Sequence, residues 1–136
     1  MKNIRSIATM VVAVIFLTIS FTACNYANQK FVEMMARDID AQCPVYLNSQ
    51  IRIDKCEALP NATIKCTGTM LSMDGNEFSI SGQALAQTKN SMVKQLQNQP
   101  DFAQIQEYGV SYIYAYFDAS GNPLYEVLIT PDDYNN

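Results

Sequence analysis

Thirteen carboxylates, eight tyrosines and four cysteines are the residues of this 136-residue sequence whose types could carry chemistry, and histidine is absent. Without an imidazole, the usual general base near neutral pH is missing. Ser–His–Asp and Cys–His nucleophile systems and histidine-ligated metal sites are excluded with it. The cysteines have neither zinc-ligand spacing nor a Cys-x-x-Cys pair, so neither a structural metal nor a dithiol redox centre is expected. Carboxylates lie close in sequence as Asp54 with Glu57 and as Asp132 with Asp133. Glycan cleavage would need two of them facing across a cleft, which their spacing does not provide, and they read as solvated surface. Asp74–Asn76 and Asp118–Asn122 lack the acidic repeats and closing glutamate of calcium loops and read as turns. No catalytic, cofactor or metal site is expected.

The tyrosines are patterned. Tyr112, Tyr114 and Tyr116 alternate along one strand, and pairing Phe117 with Leu124 puts Tyr125, Val127 and Ile129 on the same face. The other face carries Ile113, Ala115, Phe117 and Leu128, so both are largely apolar. If the Tyr112–Tyr114–Tyr116–Tyr125 face stays open, it suits a protein or glycan ligand, because tyrosine joins an apolar ring to a polar tip. The competing reading is that these rings cover the core with their hydroxyls reaching outward.

The N-terminal segment carries an address. Lys2 and Arg5 precede an uncharged stretch from Ser6 to Ala23 that contains the apolar run Met10–Leu17. Basic start, apolar stretch and small-residue junction make a secretory signal over residues 1–23. The stretch is short for a bilayer span, and Thr18, Ser20 and Thr22 dilute it. Phe21-Thr22-Ala23-Cys24 resembles the bacterial lipobox, with Phe21 where leucine is usual. The ordinary signal peptidase requires a small residue where Phe21 stands, which favours the lipoprotein route. The resemblance implies cleavage after Ala23, acylation of Cys24 and a membrane partner held through lipid. Several acyl chains at about 0.8 kcal/mol per buried methylene give stable anchoring. By the same resemblance, Asn25 in place of aspartate implies the outer membrane if the host is Gram-negative.

Removing residues 1–23 leaves 113 residues, one domain's worth, with 7 cations against 13 anions once Lys2 and Arg5 are gone. This acidic balance disfavours nucleic acid as a partner, and also a surface that grips anionic lipid through charge. With Cys24 acylated, Cys43, Cys56 and Cys66 remain, an odd number in an oxidising compartment. Cys56 and Cys66 stand five residues either side of Asn61, where an odd-length hairpin turn would set them opposite each other. Ile53 and Cys56 have opposite parity, so both point inward only if the strand carries a bulge. A Cys56–Cys66 disulfide and buried free thiols are the two alternatives.

Residues 24–30 read as a short tether and 31–136 as a single domain. Val32, Met35, Ala36, Ile39 and Cys43 give helical periodicity before Pro44. Gln50–Ala58, Thr63–Met70 and a short Glu77–Ser81 alternate as strands, with turns at Leu59–Asn61 and Asp74–Gly75. Helical spacing returns over Ala84–Gln97 and Asp101–Tyr108, and Gly109 stops it. Val110–Phe117 and Leu124–Thr130 form a last hairpin before a polar tail, Pro131–Asn136. The expected fold is α+β, helices on one face of an antiparallel sheet, in the order α-β-β-(β)-α-β-β.

Ile39–Pro44, Ile51–Asp54, Tyr108–Tyr112 and Tyr114–Asp118 together resemble a family of small secreted bacterial proteins. The resemblance implies one α+β domain, with Cys43, Cys56 and Cys66 at core positions, and implies no activity. The expected function is a lipid-anchored, non-enzymatic binding module of the cell envelope. An assembly accessory of an envelope complex is the alternative, and a carboxylate hydrolase is less favoured.

Overall fold

A computed structural model describes residues 25–136. The signal segment 1–23 and the acylation expected at Cys24 lie outside the described residues. The first element, α1 (25–40), reaches further toward the N-terminus than the apolar spacing predicts, so that 25–30 are helical rather than a loose tether. Gln29 gives the reason. Its amide donates to the Leu59 carbonyl at 3.0 Å and its oxygen accepts from the Ala62 N–H at 3.0 Å, tying the first turns of α1 to a hairpin turn.

That turn joins β2 (Ile51–Leu59) to β3 (Thr63–Met70), and a short β1 (Val45–Tyr46) pairs outside β2. In the turn, Asn61 and Ala62 stand at φ 64° and 50°, a left-handed region costly for alanine, so the Gln29 clamp holds a strained pair. The β2–β3 register slips between Ile53 and Lys55. This is the bulge that the parity of Ile53 and Cys56 requires. Ile53 and Cys56 are both buried, Cys56 sits opposite Cys66, and the two are joined in a disulfide. Among the described residues Cys43 is the remaining free thiol, half-buried, and it donates to the Ile39 carbonyl at 3.4 Å. Burial, with Asp40 and Asp54 nearby, pushes its pKa up.

After β3 the chain crosses over. Glu77–Ser81 forms no strand. Gly75 N–H is bound by the Asp118 carboxylate at 2.8 Å, and Phe78 stacks on Tyr125 with 5.9 Å between centroids, so this stretch is held by side chains. Ser81 instead caps α2 (Gly82–Gln97), accepting from the Ala84 N–H at 3.1 Å. Next come α3 (Phe102–Tyr108), ended by left-handed Gly109, and β4 (Ser111–Asp118). Because two helices carry the chain back, β4 lies parallel to β3, and β5 (Pro123–Ile129) then pairs antiparallel to β4. The fold is therefore α+β as expected, with the sheet mixed at its centre, order β1-β2-β3-β4-β5.

The C-terminal segment is not a free polar tail. Thr130 and Asp133 form a reciprocal capping box with Pro131 at the first helical position, closing a one-turn α4 (Pro131–Tyr134). That turn drives Tyr134 into the core at 2% exposure, where its hydroxyl donates to the Val110 carbonyl at 2.8 Å. Val32, Ile64, Ile105, Val110 and Ile129 are fully enclosed around it, between the helices and one face of the sheet.

Candidate functional site

The tyrosine stripe lies on the helix-covered face of the sheet. Tyr112, Tyr114 and Tyr116 alternate along β4, and Tyr125 stands opposite Tyr116 on β5. Tyr112 and Tyr116 are 4% and 6% exposed, while Tyr114 and Tyr125 are half-buried. The open-face reading is thus corrected. The bulge at Asp54 and the inward Ile64, Cys66, Val127 and Ile129 all assign this face to the core, and Leu128, half exposed, marks the opposite face as the open one. Both alternatives in the tyrosine pattern were compatible with alternation alone.

The helices do not close over the whole face. A cleft of about 960 Å³ remains between the end of α1 with the β1 loop on one side and α2 on the other. Its floor holds all four tyrosines and the Cys56–Cys66 bridge, with Cys66 paired to Tyr114 across the parallel ladder. The rings are packed in two pairs. Tyr112 stacks on Tyr114 with centroids 6.0 Å apart and planes 8° from parallel, and Tyr116 leans on Tyr125 at 5.1 Å and 42°. Gly68 makes room for this packing: a β-carbon there would meet the Tyr116 ring at 3.0 Å.

The α2 wall is polar. Gln87, Thr88, Ser91 and Gln95 face the cleft beside Met92, and Asn48 and Leu47 close the other rim. None of the side chains that line the cleft is charged, although the chain carries 13 carboxylates. The candidate carboxyl pairs lie elsewhere. Asp54 is bonded to Arg52 and Thr69, and Asp133 to Thr130 and Lys89. The cleft therefore offers hydroxyls, amides and apolar surface to a neutral ligand, and the acid pair that glycan hydrolysis requires is not placed in it.

Burial pushes the Tyr114 phenol up to about 12, and burial together with neighbouring Tyr114 and Asp101 raises Tyr112 further in the same direction. The phenols are thus held in the neutral form, in which they can donate and accept hydrogen bonds. One of them is unspent. Tyr112 Oη is buried and has no hydrogen-bond partner among the described residues. Sequence reasoning missed the α2 wall, since Gln87, Thr88, Ser91 and Gln95 form no motif in the sequence. The return of helical spacing beside a tyrosine-rich hairpin was the signal available, but nothing in it states the angle at which the two meet.

No family model and no curated protein matches the chain in sequence. Solved structures do match its fold. A protein of Pseudomonas aeruginosa assigned to the secreted class superposes with a TM-score of 0.66 at 9% identity, covering 82% of this chain and 96% of the other. The type II secretion system pilotin AspS of Vibrio cholerae gives 0.64 at 15% identity, covering 84% and 98%. The type 2 secretion system pilotin EpsS of Vibrio vulnificus gives 0.65 at 8%, covering 83% and 96%. The chain shares the α+β fold of these small secreted and pilotin proteins.

Proposed function

We propose that this protein is a lipid-anchored envelope protein that works without catalysis, docking a segment of a partner protein in the tyrosine-floored cleft during assembly of an envelope complex. The observation that carries the reading is the cleft itself, large, uncharged and floored by tyrosine rings. An uncharged wall of amides and hydroxyls suits a peptide whose backbone and apolar side chains both need partners. The shared fold with two secretion-system pilotins supports an accessory role. The lipobox-like Phe21–Cys24 supports tethering through Cys24, and Asn25 supports placement at an outer membrane.

The test is crosslinking from intact cells followed by detergent extraction and capture. Tyr114→Lys introduces a buried charge at the half-exposed centre of the floor, and Leu47→Asp alters the rim. Both should lose the captured protein while the domain still melts cooperatively. Capture that survives both substitutions overturns the cleft as the docking site. Tyr112 and Tyr116 are unsuitable for this purpose, since both are core residues.

A further inference from the structure

We propose that the end of the domain where α1 begins is a membrane-contact surface that seats directly on phospholipid headgroups. This rests on the lipid-anchor reading of Cys24. The first support is covalent. Asn25 is already helical and follows Cys24 by one peptide, about 3.8 Å between Cα atoms, so no flexible spacer separates an acylated Cys24 from the folded domain. Gln29 then locks this turn of α1 to the β2–β3 turn through its two 3.0 Å bonds. An acyl group at Cys24 would hold this end of the molecule, and not merely a tail, at the bilayer.

The second support is the chemistry of that end. Asn25, Asn28 and Gln29 of α1, Pro60, Asn61 and Ala62 of the turn, and Gly109 line a shallow hollow of about 620 Å³. None is charged, in a mature chain with 13 carboxylates. A neutral amide surface is not repelled by anionic headgroups and brings no ionic desolvation cost against them, whereas amides can bond to phosphate and glycerol oxygens. The third support is beside it. Tyr26 is 66% exposed on the outward face of the same turn, with Lys30 lying 5.6 Å from its ring centroid. Tyrosine is a side chain that the membrane–water interface accepts, and Lys30 can turn from its exposed, weak pairing with Glu33 toward a lipid phosphate. The remaining acids of α1, Asp38 and Asp40, lie about 20 Å further along the helix.

The seating also sets which rim of the cleft lies farther from the lipid. β2 runs from Leu59 at this end to Ile51 at the other, about 27 Å away. Leu47, bonded through its N–H to the Ile51 carbonyl at 3.0 Å, stands at the far rim of the cleft. The Leu47 rim of the cleft therefore stands at the end of β2 away from the membrane pole.

The experiment uses the full chain, purified from membranes with its N-terminal cysteine and reconstituted into vesicles of phosphatidylethanolamine with a minor share of phosphatidylglycerol. Spin labels are placed by Asn61→Cys or Leu47→Cys in a Cys43→Ser background, and collision with a water-soluble nickel complex is measured. The expected result is a several-fold lower collision rate at position 61 than at position 47. Equal rates, or greater protection at 47, overturn the proposal. Mass analysis of the N-terminal peptide separates the two failures. An acylated chain with an accessible position 61 defeats the seating alone, and a chain without acyl groups defeats the anchor reading on which it stands.

Discussion

Replacing Tyr112 by phenylalanine should stabilise the free protein, which is the reverse of the usual effect of deleting a buried polar group. The Tyr112 hydroxyl is withdrawn from water and meets no partner among the described residues. A buried group left unpaired costs about 1–3 kcal/mol. Phenylalanine keeps the ring, its area and its stack on Tyr114 at 6.0 Å, so only the uncompensated hydroxyl is lost. The expected gain is about 1–2 kcal/mol, or about 4–8 °C in melting temperature for a domain of this size. Tyr134→Phe supplies the contrast, since it deletes the same atom where it donates to Val110 at 2.8 Å. That change strands a buried carbonyl and should cost about 1–2 kcal/mol. Urea unfolding followed by circular dichroism reads both. If Tyr112→Phe destabilises as much as Tyr134→Phe, the hydroxyl is bonded, for instance to an internal water, and its unpaired state is refuted. Where the reasoning holds, Tyr112→Phe raises the melting temperature and Tyr134→Phe lowers it, a contrast that two equally bonded hydroxyls do not produce.

Three other expectations are independent of it. Removing the bridge by the double change Cys56→Ala and Cys66→Ala frees a loop closed over a separation of 10 residues. The chain-entropy relation then gives a loss of about 2.7 kcal/mol, and a melting temperature unchanged from wild type under oxidising conditions would contradict it. Gly68→Ala sets a methyl 3.0 Å from the Tyr116 ring and 3.1 Å from the Arg52 carbonyl. It should cost about 1–3 kcal/mol and disturb the near-ultraviolet tyrosine signal, whereas a neutral effect would mean that the floor yields easily. Asp118 is held below the ordinary carboxylate range by bonds from Asn122, Gly75 and Ser120. A depressed folded-state pKa contributes stability that is present above about pH 4 and lost as pH falls through the folded value. Asp118→Asn should accordingly destabilise at neutral pH and flatten the acid limb of the stability curve, and a parallel limb in the variant would refute the assignment.

Much of the fold is legible in the residues, and the failures have physical causes. The bulge is readable because Ile53 and Cys56 cannot both face inward without one, and the place of Cys56 and Cys66 around Asn61 makes the disulfide one of two alternatives, which the structure decides. The parallel β3–β4 pairing is missed when hairpins are assumed throughout, although two helices between those strands are what a crossover needs. Thr130-Pro131-Asp132-Asp133 has the form of a capping box, and it signals that the last residues are helical and not a polar tail. The tyrosine face was indeterminate for a different reason. Alternation fixes which residues share a side and is silent on which side is covered when both are apolar. Only the long-range packing of α1 and α2 decides that, and in deciding it they leave the cleft.

The two halves of that cleft differ in how firmly they are held. The floor is built from a five-stranded sheet, a disulfide and paired rings, with Tyr112 and Tyr116 nearly enclosed. The α2 wall is pinned mainly at its C-terminal half, where Val93 and Leu96 are its buried residues and Gln97 donates to the Tyr134 carbonyl at 3.0 Å. Its opening turns carry no fully buried side chain. Local opening is easiest where few apolar contacts must be broken. A ligand entering between wall and floor would therefore displace the first turns of α2 about their fixed end, leaving the tyrosines in register. Such a site would gain its selectivity from a rigid floor and its tolerance of segment length from the movable wall.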